Sequence, residues 1–170
     1  IYDADGNSYA HNSFQSIEDR VDASDVEGFI EDLRDDRVRT RRLALYGLNM
    51  LVEEDPEACL EALPTLTADL QTSEVDMQAA SLDILATLSE EYPEQLTPTA
   101  DEVLPFLDPS TEQRLLEAAV PLVATIADHD PRAVMEAAPA LAALLQDDPP
   151  GEGTVLDALV RIAHTYPGAV

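Results

Sequence analysis

The residues that most often carry catalysis or bind metals are few in this chain, and their spacing favours neither. The three histidines, His11, His129 and His164, are followed by Asn, Asp and Thr, and the one cysteine, Cys59, lies on an apolar helical stripe. His129 and His164 supply only two imidazoles, without a carboxylate at ligand spacing, and this does not make a metal site. A single cysteine forms neither an internal disulfide nor a thiolate cluster. The sequence has no Gly-x-Ser-x-Gly turn and no glycine-rich phosphate loop. We therefore predict no catalytic residue, no metal site, no cofactor and an inert, buried thiol.

One acidic segment resembles the beginning of a calcium-binding loop. Asp3, Asp5 and Asn7 stand at alternate positions, but Phe14 occupies the place where such a loop needs a bidentate glutamate. We favour a hairpin around the Asp-Gly dipeptide, followed by a short amphipathic helix. Together these elements form an atypical N-terminal cap over residues 1–23.

The strongest local anomaly is a cluster of arginines, since five of the nine arginines fall within nine residues. They are Arg34, Arg37, Arg39, Arg41 and Arg42. The planar guanidinium fork suits carboxylates and phosphates, to which it donates two parallel hydrogen bonds. Two interpretations are open: the cluster neutralises nearby acids such as Glu27, Glu31 and Asp32, or it binds an acidic segment of a partner.

The overall charge is strongly negative. The 170 residues include 35 acidic side chains and nine basic ones, all arginine, which gives a net charge of −26. Self-repulsion of this kind destabilises a compact state in dilute buffer, whereas at about 1 M salt the Debye length is only about 3 Å. A hydrophobic content of 45% at helical spacing is not typical of an acidic disordered protein. The composition is similar to that of proteins from salt-accumulating halophiles.

The same composition excludes two kinds of partner. A sequence pI of 4.1 and the absence of lysine leave no positive surface for nucleic acid beyond the arginine cluster. No stretch approaches the ~20 apolar residues of a membrane span, and no secretory leader is recognised. We expect a cytoplasmic protein with no nucleic-acid, membrane or small-molecule partner. Because the sequence starts at Ile1 and ends just after Pro167, we also expect it to be a piece of a longer chain.

The elements that position these residues come from an internal repeat. A helix-opening proline recurs at Pro56, Pro93, Pro131 and Pro167, at intervals of 37, 38 and 36 residues. Apolar columns stay in register with it, and their spacing of three indicates the buried stripe of one helix per copy, which we call helix B. The columns are Leu45, Leu82, Val120 and Leu156; Leu48, Leu85, Val123 and Leu159; and Leu51, Leu88, Ile126 and Ile162. Each copy also has an upstream helix A, predicted over residues 26–33, 58–70, 95–107 and 133–145.

Capping residues support this division into helices. An oxygen-bearing residue before a proline predicts a helix start, because the missing N–H of proline costs nothing at the first helical position. A serine three residues before Glu or Gln predicts a reciprocal capping box. The predicted caps are Asp55 and Asp130, each before a proline, and the boxes Ser24 to Glu27 and Ser110 to Gln113.

Equivalent positions of successive helices B also carry alternating charges. Arg39, Asp76 and Arg114 share one register position, which predicts that neighbouring helices pair along one edge. Exposed pairs of this kind contribute about 0 to 1 kcal/mol each, so we expect them to serve register more than stability.

These features resemble the HEAT-repeat family over residues 24–170. The resemblance is carried by prolines inside helix A, by a turn that leads into a Val-Arg start of helix B, and by an Asp-Pro-Ser turn. The residues are Pro64, Pro105 and Pro139; Asp35-Asp36-Arg37-Val38-Arg39; and Asp108-Pro109-Ser110. The family implies an all-α, right-handed α-solenoid of about four helix pairs with a short N-terminal cap. The implied repeats are 24–54, 55–91, 92–129 and 130–166, with the start of a further repeat at 167.

The function that this resemblance implies is carried by a surface. Solenoids of this family act as scaffolds or adaptors, so we expect a non-catalytic protein-binding module whose partner carries an acidic segment. The alternative is an accessory or regulatory subunit of an enzyme, such as a HEAT-like lyase, which would need a concave pocket with an acid beside aromatic walls. The candidate partner-binding residues are Arg37, Arg39, Arg41, Arg42, Tyr46 and Asn49.

Overall fold

Helices account for the regular secondary structure in residues 9–72, 74–146 and 151–168, the parts of the chain that this computed structural model describes. The prediction of an all-α fold is confirmed for these residues. The predicted hairpin around the first Asp-Gly dipeptide lies outside them. The chain divides into two compact units, residues 1–62 and residues 63–170, and the boundary falls inside the predicted repeat 55–91.

In unit 1, two short helices pack against one long helix. Both α1 and α2 contact α3, and α4 follows α3 directly. The elements are α1 (Tyr9–Asp22), α2 (Val26–Leu33), α3 (Val38–Glu54), α4 (Pro56–Cys59) and a 3-10 turn (Leu60–Ala62). Phe29 and Leu33 of α2 and Leu48 and Leu51 of α3 are buried in its core. The first predicted helix A is therefore α2, and the first helix B is α3.

In unit 2, long helices alternate with broken ones. The long helix α9 packs against α6 on one side and against α11 on the other. The elements are α5 (Leu63–Asp69), α6 (Val75–Glu91), α7 (Pro93–Leu96), α8 (Ala100–Val103), α9 (Gln113–His129), α10 (Ala138–Leu144) and α11 (Glu152–Thr165), with 3-10 turns at Thr97–Thr99, Leu104–Leu107 and Met135–Ala137. The helices α6, α9 and α11 are the predicted helices B of the later copies.

The segment predicted as helix A in each later copy is not one continuous α-helix. Each such segment contains at least one 3-10 turn, and the 3-10 turns at residues 60–62, 104–107 and 135–137 lie at or just before Pro64, Pro105 and Pro139. A proline inside a helix lacks the N–H for the bond to the carbonyl four residues earlier, and its ring clashes with that carbonyl. The tighter 3-10 geometry relieves this conflict locally. The prolines that carried the family resemblance therefore also break the helices.

For three of the four predicted helix caps, the structure differs from the prediction. Asp55 does cap α4, because its carboxylate accepts a hydrogen bond from the Ala58 N–H at 3.2 Å. Neither serine forms a capping box: Ser24 has a φ of 52°, and Asp25 caps α2 by accepting from the Gly28 N–H at 3.0 Å. At α2 the neighbouring Asp25 carboxylate, the stronger acceptor, takes the role that the Ser24 hydroxyl was expected to play.

The other two caps fail for the same local reason. Ser110 donates its backbone N–H and its hydroxyl to Asp108, and α9 begins three residues later at Gln113 without a side-chain cap. Asp130 accepts from the Arg132 N–H at 3.0 Å, so residues 131–134 form a turn instead of the first turn of a helix. An aspartate that binds the N–H two residues ahead offers the backbone an alternative to helix.

The predicted columns are buried with one exception. Leu48, Leu85, Val123 and Leu159 are all buried, as are the residues of the third column. In the first column Leu82 and Val120 are buried, but Leu156 on α11 is 48% exposed, so its predicted burial is wrong. Leu82 and Val120 belong to helices on which a later helix B packs, whereas no helix of the described residues follows α11.

Candidate functional site

Four of the candidate partner-binding residues share one exposed face of α3. Arg39, Arg42, Tyr46 and Asn49 follow each other at spacings of three, four and three, which places them on one side of a helix. All four are exposed, and Tyr46 is 47% exposed although it is a large aromatic residue. We call these four residues the α3 stripe.

The other two candidates lie outside this stripe. Arg41 is half-buried, and Arg37 stands at the N-cap of α3. The Arg37 guanidinium pairs with the Asp35 carboxylate through two contacts, of 2.7 and 3.0 Å, and the Arg37 backbone N–H donates to the same group at 2.7 Å. These hydrogen bonds lower the pKa of Asp35 to about 2. For Arg37, the interpretation as a local charge pair is therefore the one that the structure supports.

The opposite face of α3 is fixed by close packing. Gly47 faces the Phe29 ring of α2, and a Cβ atom at this glycine would lie 2.4 Å from two ring carbons. Both Phe29 and Leu48 are fully buried. Because only glycine permits this approach, α2 holds α3 tightly from behind and the α3 stripe is presented on a rigid support.

A second charged cluster in unit 1 was not predicted from the sequence. Arg20 of α1 contacts Asp25 through Nε and Asp32 through Nη1, each at 2.7 Å, and its guanidinium carbon lies 4.2 Å from the centroid of the Phe29 ring. The side chain of Arg20 is only 26% exposed. Asp32, which we expected to pair with the arginine cluster, is thus paired with an arginine of another helix. The available signal was the position of Arg20 between the apolar residues Ile17 and Val21.

Glycine 28 completes this cluster. A Cβ atom at Gly28 would lie 2.4 Å from the nearer Asp25 oxygen and 2.7 Å from an Arg20 nitrogen. The absence of a side chain at this position therefore lets the arginine reach across α2 to both carboxylates. Since all the groups involved are already paired within the cluster, its role is to join α1 to α2.

In unit 2 the charges lie at the edges between helices B. Asp76 of α6 forms an ion pair with Arg114 of α9, which confirms that part of the predicted charge ladder. Arg161 of α11 pairs in the same way with Asp128 of α9, which was not predicted. All four side chains are about half exposed. The Arg39 end of the ladder would join residues of different units and stays a prediction.

Asp83 lies close to the first of these pairs. Desolvation on the helix surface raises the pKa of Asp83, and the nearby charge of Arg114 acts in the opposite direction. Asp83 and Asp157 share one register position, one residue after Leu82 and Leu156 respectively. The positive charge of Arg114 on α9, the following helix B, therefore acts on Asp83 of α6.

The described residues contain no cluster of side chains suited to bind a metal ion. Within residues 9–72, 74–146 and 151–168, no group of three or more His, Cys, Asp or Glu side chains could hold a metal ion. Cys59 is buried as predicted, and burial, with a smaller effect of Asp55, raises the pKa of its thiol to about 12. In the same part of the chain, no helix combines the length and apolar character that crossing a membrane requires.

Two open clefts lie at the C-terminal end of unit 2. The larger, of about 530 Å³, is lined by Met135, Glu136, Pro139, Tyr166 and Pro167 among others. The smaller, of about 310 Å³, is bordered by several residues of α9 and α11. They include Asp128, Val160, Arg161 and His164. Both clefts are bounded by Thr165, so they adjoin each other at the end of α11.

Comparison with known proteins identifies no relative of this chain. No protein-family model matches the sequence, no curated protein matches it, and no solved structure matches it. The resemblance to HEAT repeats therefore rests on the register, the prolines and the turns of this chain alone.

Proposed function

We propose that this chain is a non-catalytic protein-binding module, a scaffold or adaptor built as an α-solenoid of HEAT-like helix pairs. The observation that carries the proposal is the α3 stripe. It combines two arginines, a tyrosine and an asparagine on one exposed helix face. Arginine and tyrosine are among the residue types that dominate binding energy at protein interfaces.

The helix pairing of unit 2 supports the repeat part of the proposal. The predicted helices B of three successive copies are present, and the middle one, α9, contacts both others. A stack in which each copy contacts mainly its neighbours is what a solenoid requires. The right-handed superhelix and the extension of this stack into unit 1 are part of the proposal.

The chemistry of the stripe supports a partner with an acidic segment. With a net charge of −26, the chain as a whole repels acidic proteins, whereas Arg39 and Arg42 place two positive charges on one exposed face. In molar salt, attraction beyond about 3 Å is screened, so recognition depends on direct arginine to carboxylate hydrogen bonds. The partner we propose is a cytoplasmic protein of a halophilic organism that presents an acidic segment.

Site-specific photo-crosslinking tests this function. A photoreactive residue at position 46 is compared with the same residue at position 83, which has the equivalent register position and is also exposed. In an extract of the native organism at molar salt, we expect position 46 to capture one protein that position 83 does not capture. Mass spectrometry identifies the captured protein and the acidic segment to which it is joined.

A charge-reversed variant supplies the control for this experiment. Arg39→Glu with Arg42→Glu should abolish capture at position 46 while the circular dichroism spectrum stays helical. Arg132→Glu, a reversal at an exposed arginine of unit 2, should leave capture unchanged. Equal capture by the wild type and the double variant would reject the α3 stripe as the binding surface.

The alternative, an accessory subunit such as a HEAT-like lyase, has one observation in its favour. An acid, Glu136, and an aromatic residue, Tyr166, both line the 530 Å³ cleft. Titration with a linear tetrapyrrole tests this alternative through the absorbance of the pigment. A saturable spectral change that Tyr166→Leu abolishes would support it, and a spectrum that does not change would reject it.

A further inference from the structure

The smaller cleft of unit 2 lies where the fourth copy departs from the third. In the third copy, α7 (Pro93–Leu96) begins directly at its proline and contacts α9. In the fourth copy, Asp130 accepts from the Arg132 N–H, and residues 131–134 form a turn instead. The cleft, of about 310 Å³, is bordered by Pro131 of this turn and by α11. It therefore takes the place of a contact that helix A and helix B make in the preceding copy.

The positions that form the α11 wall of this cleft stay accessible in a copy on which a later helix packs. Val160 has the register position of Ala124 of α9, which is half-buried although α11 packs on that helix. His164 has the register position of Asp128, which is exposed on the same helix. The cleft is therefore a property of the fourth copy itself, and its α11 wall is of a kind that the repeat leaves open.

The charges around this cleft differ from those at the equivalent positions of the preceding copy. The charged and titratable residues of the lining are Asp128, Arg161 and His164. Their register equivalents one copy earlier are Glu90, Thr125 and Asp128. Two acids and no base thus become one acid, one arginine and one histidine. In a chain with a net charge of −26, this exchange favours an anion at the cleft.

Arg161 keeps hydrogen-bond donors for a ligand. Its Nη1 donates to Oδ1 of Asp128, and this is the one hydrogen bond that its side chain makes within the described residues, although a guanidinium has five N–H donors. His164 is exposed one turn further along the same face of α11, and its imidazole offers another N–H. Apolar walls with a few polar groups are typical of small-ligand sites. The apolar part of the lining is formed by Ala127, Pro131 and Val160.

We infer that this cleft binds a small aliphatic carboxylate. The carboxylate accepts from the N–H groups of Arg161 that Asp128 leaves unused and from His164, and the aliphatic part lies against Val160 and Pro131. Because Asp128 also lines the cleft, its charge favours a ligand with one negative charge over a dianion such as phosphate. The inference departs from the expectation, drawn from the sequence, that the chain has no small-molecule partner. It does not depend on whether the α3 stripe binds a protein.

An NMR titration of the full chain with isovalerate in molar salt tests the inference. We expect saturable shifts of the backbone amides of Val160, Arg161 and His164, with one ligand per chain. Arg161→Gln should weaken binding at least about tenfold, because hydrogen bonds to the charged group are lost. Val160→Ala, a change at a 55% exposed residue that leaves the charges in place, should weaken isovalerate about two- to fivefold and acetate not at all. Arg114→Gln, which removes another arginine paired between helices B, should leave binding unchanged.

Control ligands separate the effect of charge from that of shape. Isovaleramide, which has the same shape and no charge, and inorganic phosphate should each bind at least about tenfold more weakly than isovalerate. No saturable shift, or equal affinity of isovalerate for the wild type and Arg161→Gln, would overturn the inference. Equal affinity for the amide or for phosphate would overturn the assignment to a carboxylate. Tighter binding of acetyl-glycyl-leucine than of isovalerate would overturn the assignment to a free small acid, because the occupant would then be the C-terminus of a peptide.

Discussion

The two units join their helices by different means. In unit 1, the ring of Phe29 lies against Gly47, and the partly buried Arg20 connects α1 to two carboxylates of α2. In unit 2, aliphatic columns fill the space between α6, α9 and α11, and the ion pairs lie outside at the edges. Unit 1 thus uses a specific aromatic and ionic contact where unit 2 uses repeated apolar ones.

The two units also differ in their content of arginine. Unit 1 contains six of the nine arginines, although it holds only 16 of the 35 acids. Arg20 and Arg37 pair with carboxylates of the same unit, and Arg39 and Arg42 lie on the exposed α3 stripe. Unit 2 spreads three arginines among 19 acids, and two of those arginines pair with acids of neighbouring helices. A surface that distinguishes one partner from another is therefore expected in unit 1.

The largest expected effect is that of salt on both units. On transfer from molar KCl to dilute buffer, we expect most of the helical circular dichroism to disappear, because the Debye length grows from about 3 Å to about 30 Å and the acids repel each other. Unit 2 has fewer arginines per acid, so hydrogen exchange should accelerate in Gln113–His129 at higher salt than in Val38–Glu54. A helical signal that is the same in both buffers would refute the proposed adaptation to salt.

Next in size is the loss of the aromatic contact of unit 1. Phe29→Ala should lower the free energy of unfolding by about 3–5 kcal/mol, since the fully buried ring leaves a cavity against Gly47. The matched control is Tyr46→Ala, an exposed aromatic of the same unit, for which we expect a change within about 0.5 kcal/mol. Urea unfolding in molar salt measures both. Similar values for the two variants would show that unit 1 does not depend on this contact.

The corresponding test in unit 2 uses two leucines of the repeat. Leu85→Ala should cost about 2–5 kcal/mol, because Leu85 is fully buried on α6. Leu156→Ala, at a position of α11 that is 48% exposed, should change stability by no more than about 0.5 kcal/mol. If both variants lost the same amount of stability, the exposure of Leu156 on α11 would be wrong.

A smaller effect is the response of Asp35 to acid. Its pKa of about 2 in the folded chain is below the ordinary value of 3.8, because Arg37 stabilises the ionised carboxylate by hydrogen bonds. The stabilisation is therefore complete above about pH 4 and disappears as the pH falls through 2. An NMR titration of the Asp35 side chain should have its midpoint near pH 2. In Arg37→Gln the midpoint should return towards 3.8, and an unchanged midpoint would refute this pairing.

The smallest effect is expected at the exposed pairs of unit 2. Removal of the Asp76 to Arg114 pair should cost about 0 to 1 kcal/mol, because both side chains are about half exposed and molar salt screens them. Arg20→Gln should cost more than Asp76→Asn, since Arg20 is only 26% exposed and contacts two carboxylates and a ring. A double-mutant cycle measures the coupling within each cluster. Equal coupling energies in the Arg20 cluster and in the Asp76 to Arg114 pair would show that ionic contacts join the helices of the two units equally strongly.

Much of the fold could be predicted because its signals are local and repeated. Leu48, Leu85 and Val123 recur in register, and a period near 3.6 residues identifies the buried face of a helix without reference to the rest of the chain. The errors fall where neighbours compete. Ser24 and Asp25 are adjacent acceptors for the same helix start, and the spacing alone did not decide which of them would cap it.

The candidate site was predicted in part for related reasons. The arginine cluster was evident from composition, and helical spacing places Arg39, Arg42, Tyr46 and Asn49 together. The pairing of Arg37 with Asp35 was not predicted, because it depends on the turn between α2 and α3. The Arg20 cluster joins residues of different helices beside the crowded Gly28, and no periodic pattern in the sequence predicts such a contact.

Hydrogen exchange of the complex with the captured partner tests the central claim, that the α3 stripe binds a protein. We expect the amides of Val38–Glu54 to exchange more slowly in the complex than in the free chain, while those of Val75–Glu91 exchange at the same rate in both. When the chain with Arg39→Glu and Arg42→Glu is mixed with the same partner, the exchange of these amides should not slow. Slower exchange confined to Glu152–Thr165 or to other helices of unit 2, with α3 unchanged, would contradict the claim and place the binding surface in unit 2.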